Sequence, residues 1–147
     1  MNTPPADAGP LADGEIVYRL IHRDFGGAAN ESPVGRQAFK PTVRDTDGLS
    51  VFRAAIISPR QALEAIPDPD KREKYSVAAL PVAAFTALGL TVIPTPHLSV
   101  VPGHASVPEM NGPAYVKAPA GNKERCMEWQ LALAVIAGEN IVIRATA

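Results

Sequence analysis

The chain has 147 residues, a formal net charge of −1, 46% hydrophobic and 20% charged residues. That is the size and composition of one domain able to bury a real core. It excludes a polybasic binder of nucleic acid or anionic membrane, and the single cysteine, Cys126, excludes an internal disulfide or a cysteine-based zinc cluster.

Residues 1–13, rich in Pro, Ala and Asp, are expected to form a loose N-terminal arm. They carry no basic-then-apolar secretory pattern, so a cytoplasmic location is expected. "EIVYRLIH" predicts a strand, with Ile16, Tyr18, Leu20 and His22 on its inner face and Val17, Arg19, Ile21 and Arg23 on the other. Gly26 and Gly27 end it. Residues 28–48 form a long connection broken by Pro33, Gly35 and Pro41, of the kind that is often functional or mobile. "LSVFRAAII" is a second strand. "SPRQALEAIP" is a short helix: Ser58 offers its hydroxyl to free helix N–H groups, and Pro59 suits the first helical position, which needs no donor. "PDPDKREK" reads as an exposed turn.

"YSVAAL" predicts a third strand, and "PVAAFTALG" a short helix ended by Gly89. "LTVIP" is a short strand, residues 98–107 a hairpin, and "AYVKA" a further strand. Residues 122–137 form the longest helix, and "NIVIRAT" closes the chain as a strand. Residues 14–147 are therefore expected to be a single α+β domain. Its sheet would be mixed and mostly antiparallel, with two short helices and one longer C-terminal helix packed on it. Residues 75–108 carry no Asp, Glu, Lys or Arg, but prolines and glycines interrupt them. They read as buried core elements rather than as a membrane span.

Several motifs point to chemistry. "LIHRDFGG" contains two kinase tripeptides that share Asp24. A kinase needs two separate aspartates, one at the substrate hydroxyl and one on metal, so the match reads as a strand end and a turn. His97, His104 and Glu109 have metal-ligating side chains. A tight turn at Pro102-Gly103 would set the histidines about four residues apart, roughly 13 Å, so no metal is expected and the histidines are read as surface groups. "RDTDG" lacks the donors of a complete calcium loop and reads as turn chemistry. Cys126 fits a packing role with Trp129 and Leu133 on one helix face.

Enzymes of the ADP-ribosyltransferase type hold nucleotide with a strand-end His or Arg, a Ser on another strand and a Glu. His22, Ser50 and Glu109 can be cast in those roles, and a small transferase or hydrolase around His22 and Ser50 is the alternative reading. "GRQAFKP", "DTDGLSV" and "GHASVPEMN" together resemble a pattern in small bacterial proteins that look like accessory products of gene clusters. That resemblance implies no activity and no cofactor; it implies an interaction role. The leading expectation is a non-catalytic accessory protein with a protein partner. Arg36, Phe39, Lys40 and Arg44 would form the contact surface, because Arg and aromatic side chains anchor interfaces.

Overall fold

The computed structural model describes residues 11–28, 33–42, 45–112 and 120–146. Six strands form one sheet: β1 (Ile16–His22), β2 (Leu49–Arg53), β3 (Tyr75–Pro81), β4 (Ile93–Pro94), β5 (His104–Val107) and β6 (Ile141–Ile143). Their order is β4-β5-β2-β1-β3-β6. Every described pairing is antiparallel. The helices are α1 (Pro59–Leu63), α2 (Pro69–Arg72), α3 (Val82–Thr86) and α4 (Ala120–Glu139). The expected α+β architecture with a long C-terminal helix is the observed one.

Local chemistry accounts for much of this. Ser58 forms a capping box: its hydroxyl accepts from the Gln61 amide, and the Gln61 side chain accepts from the Ser58 amide. Asp68 caps α2 with its carboxylate, which accepts from the Asp70 amide, so the charged turn holds one helical turn. β1 and β3 pair along their full length, from Ile16 opposite Pro81 to His22 opposite Tyr75.

The main core lies between one sheet face and α4. Val17, Ile21, Leu49, Val51, Ala78, Leu80, Ala105 and Val107 point into it from the strands, against Phe85 of α3 and Leu133, Ala134 and Ala137 of α4. Burying one such large side chain contributes about 1.5–3 kcal/mol. The opposite face carries a smaller cluster of Phe52, Ile57, Ala62 and Val101, flanked by Tyr18 and Leu20. The expected inner face of β1 is therefore corrected. Val17 and Ile21 face the large core, while Tyr18 and Leu20 face the small one. Alternation defines two faces; only the placement of α4 decides which is deeper.

The connection after β1 is also more ordered than expected. Gly26 (φ 101°) leaves a 3-10 turn at Arg23–Phe25, and a Cβ there would overlap the Pro33 carbonyl. A second 3-10 turn, Arg36–Phe39, packs Ala38 and Phe39 into the main core. Ser76 ties the chain ends together: its buried hydroxyl donates to the Gly27 carbonyl and accepts from the Ala145 amide, both at 2.9 Å.

The expected hairpin is displaced. Ile93 pairs with Ser106 and Pro94 with Ala105, so the partner of β5 is β4 rather than residues 98–101. Val100, within the expected hairpin, is 90% exposed. Prolines at 94, 96 and 102 remove the ladder donors that a regular hairpin needs. The expected strand at 114–118 and the arm at 1–10 lie outside the described residues. Among the described residues, no helix is long and apolar enough to cross a membrane.

Candidate functional site

His22, Ser50 and Glu109 are not joined by any described hydrogen bond, and neither His22 nor Glu109 lines a described cavity that Ser50 lines. His22 Nδ1 accepts from the Asp24 amide at 3.1 Å, and its ring meets Tyr75 and Phe25 edge-on. Glu109 is held by Thr91, whose amide and hydroxyl donate to it at 3.0 and 2.6 Å. Asp24 sits in the one-turn 3-10 segment after β1, so the kinase-like string is a strand end and a turn.

Ser50 has a different neighbour. On the smaller face of the sheet it lies opposite Ser106, while Phe52 lies opposite His104. Ser50 and His104 line two adjoining cavities of about 240 and 250 Å³, together with Leu98. Arg19, Leu20, Phe52, Ala65 and Ser99 complete the first, and residues 45–48 the second. His104 is buried, and its ring stands edge-on to Phe52 at 5.3 Å. Thr95 Oγ1 lies 2.8 Å from both His104 Nδ1 and Ser106 Oγ, so three side chains form one buried polar network.

Burial pushes the His104 imidazole below the ordinary histidine value, an effect partly offset by its hydrogen bond with Thr95 and by the charge of Asp47. The cavity thus presents a hydroxyl and a neutral imidazole. The "surface histidine" expectation fails for His104, because the register with β4 turns it inward. The polar/apolar alternation of "HASV" already grouped His104 with Ser106, but nothing in it named Thr95 as their partner. Among the described residues no group of three or more His, Cys, Asp or Glu is placed to hold a metal ion.

Cys126 is buried, with its thiol pushed up by burial, and accepts a hydrogen bond from Gln130 at 3.4 Å. That environment suits packing rather than nucleophilic chemistry.

The expected contact surface divides. Phe39 is fully buried in the main core and is no surface anchor. Its 3-10 turn is amphipathic, which the aromatic-plus-arginine composition did not reveal. Arg36 reaches across to Gln130 of α4, Lys40 is exposed, and Arg44 lies outside the described residues. Beside them a cavity of about 410 Å³ is lined by Arg19, Phe25, Gln37, Lys40, Thr42 and Asp45. Arg19 donates from Nε to the Ala38 carbonyl at 3.0 Å and from Nη1 to the Ser50 carbonyl at 2.9 Å. Its guanidinium lies 5.8 Å from the Phe39 ring centroid.

The outer face of α4 carries a third feature. Met127, Leu131 and Val135 repeat every four residues and are 37%, 57% and 61% exposed. Lys123 and Glu139 extend the same row at its two ends. Residues 129–138 contain no charge, so this part of the helix is apolar on both faces. A helix apolar all round is normally covered all round.

Fold and site define an α+β domain built on one antiparallel sheet, with polar cavities on its thinner face. No family model matches this chain and no solved structure matches it. Over 69 residues it is 33% identical to pro-opiomelanocortin B of Oncorhynchus mykiss. The similarity covers 46% of this chain and 29% of that protein, so it spans under a third of the relative's length.

Proposed function

We propose that this is a non-catalytic interaction domain that associates with a second copy of itself through the outer row of α4. The observation that carries the reading is the exposed Met127–Leu131–Val135 row. Side chains four apart form a ridge that packs into the groove of a like ridge. A second copy fits because the row is self-complementary. A two-fold axis through Leu131 sets Met127 against Val135 and Lys123 against Glu139. Among the described residues neither Lys123 nor Glu139 has an ion pair within the chain. The interface is then isologous, as symmetric dimers require. Three apolar side chains supply only part of the roughly 800 Å² per partner of a standard interface. The dimer is therefore weak, with a Kd on the order of tens of micromolar. The resemblance to small bacterial proteins supports an accessory role in a gene cluster.

Sedimentation equilibrium over a wide concentration range tests this. The expected result is a monomer–dimer equilibrium, lost in Leu131→Glu. Lys123→Glu and Glu139→Lys should each weaken it, and the double swap should restore it. A chain that stays monomeric at about 500 μM, far above the expected Kd, overturns the reading. So does a dimer indifferent to Leu131→Glu.

A second reading, a small transferase or hydrolase, draws support from one observation: Ser50 and His104 line the same cavities. In this version His104 replaces His22 as the base. A screen of ester, phosphoester and nucleotide-sugar substrates tests it. Turnover abolished by both Ser50→Ala and His104→Asn supports it, and turnover that survives both sinks it.

A further inference from the structure

The protein has two arginines embedded near the centre of its sheet, and they are treated differently. Arg53 is closed by Glu15 in a two-pronged ion pair, at 2.7 and 3.1 Å, with both side chains largely buried. Among the described residues, Arg19 has no carboxylate at ion-pair distance. It sits just beyond the paired part of β1 and β2, which ends at Tyr18 opposite Phe52. There its guanidinium takes up the Ser50 carbonyl, a second backbone carbonyl and a ring face. A guanidinium offers five N–H donors, and two are engaged. Arg19 lines the 410 Å³ cavity as well as the 240 Å³ cavity beside Ser50.

A half-buried cation with no described counter-ion carries a desolvation cost. Burial holds Arg19 down to about 10, which still leaves it protonated at neutral pH. The nearest compensation is Asp45, which acts on Arg19 only through space. The Asp45 carboxylate is already committed, accepting from the Thr42 amide at 2.7 Å and from the Thr42 hydroxyl at 3.3 Å.

We infer that the Arg19 cavity is a binding site for a small monoanionic carboxylate with an apolar body. Charge and shape both lead there. Among the described lining residues, Arg19 and Lys40 contribute two positive charges and Asp45 one negative, a balance that fits one added negative charge better than two. The planar guanidinium matches a carboxylate with parallel N–H donors. Gln37 and Thr42 offer further polar contacts, and Phe25, 38% exposed, supplies an apolar wall. Cavities of this size hold small organic ligands. The site is separate from the α4 row, so the two proposals stand or fall independently.

The test is a titration of the isotope-labelled full chain, followed by amide NMR at fixed ionic strength. Sodium phenylacetate is the probe; phenylacetamide and inorganic phosphate are the comparisons. The expected result is saturable shifts at the amides of Gln37, Lys40 and Thr42, with a Kd of order millimolar or tighter. Phenylacetamide should bind at least about tenfold more weakly, since a charged partner is lost. Lys40→Ala, on an exposed side chain, should weaken binding several-fold without changing the fold. Arg19→Met should abolish it. If that variant does not fold, Lys40→Ala decides alone. Non-saturating shifts, equal binding of phenylacetamide, tighter binding of phosphate, or a Lys40→Ala variant that binds as well as the parent would each overturn the inference. If the shifts come only from an acidic peptide and not from phenylacetate, the site reads a protein carboxylate and the small-molecule assignment fails.

Discussion

The two faces of the sheet are built from the same strands and do opposite work. On β2, Leu49 and Val51 point into a closed apolar core, while Ser50 between them points into a cavity. On β5, Ala105 and Val107 face that core, while His104 and Ser106 share a hydroxyl with Thr95. The difference follows from what covers each face. The long α4 seals one side. Among the described residues the other has only short helices, turns and proline-rich loops, which leave room for polar groups and solvent. Stability and candidate chemistry are thereby separated by a single residue step along each strand.

Substitutions in neighbouring positions should break that comparison if it is wrong. Leu49→Ala empties space in the sealed core and is expected to cost about 2–5 kcal/mol. Denaturant unfolding measures it, and a loss below about 1 kcal/mol would mean that the core relaxes freely around the site. Thr95→Val keeps shape but strips the hydroxyl from His104 and Ser106, and should cost roughly 1–3 kcal/mol. An unchanged midpoint would mean that water replaces the hydroxyl and the network is wetter than described.

The imidazole of His104 sharpens the contrast through pH. Its value in the folded chain is depressed, so between that value and about 6.5 the unfolded chain binds the extra proton. Stability from this group is therefore complete above about pH 6.5 and is lost as pH falls through the folded value. The difference in unfolding free energy between parent and His104→Asn should narrow from pH 7.5 toward pH 5. A constant difference would show that the ring titrates alike in both states. Ser50→Ala should have the smallest effect, within about 0.5 kcal/mol, because no described hydrogen bond engages its side chain. A large loss would place Ser50 in the network after all.

Much of the local structure was legible in the residues. Ser58, Pro59 and Gln61 announce α1, because caps act within one turn. The alternation in β1, β2 and β5 separates two faces, because side chains switch sides at every residue. The apolar spacing of Cys126, Trp129 and Leu133 marks the inner side of α4. The candidate site was less legible. Ser50 was singled out together with His22, whereas the cavities it lines are shared with His104, and Phe39 was taken for a surface anchor.

These misses have one cause. Each depends on which distant segment arrives as neighbour. The register of β5 against β4 is set by prolines that forbid the simpler hairpin. The burial of Phe39 is set by how its 3-10 turn docks against α4. The isolation of Arg19 depends on where the β1–β2 pairing ends and on the described carboxylates, none of which reaches it. Sequence by itself determined the class of fold, the caps and the alternation, which are local and additive. Only the tertiary structure decided which face became core and which polar groups met, because strand register and helix docking are non-local and cooperative.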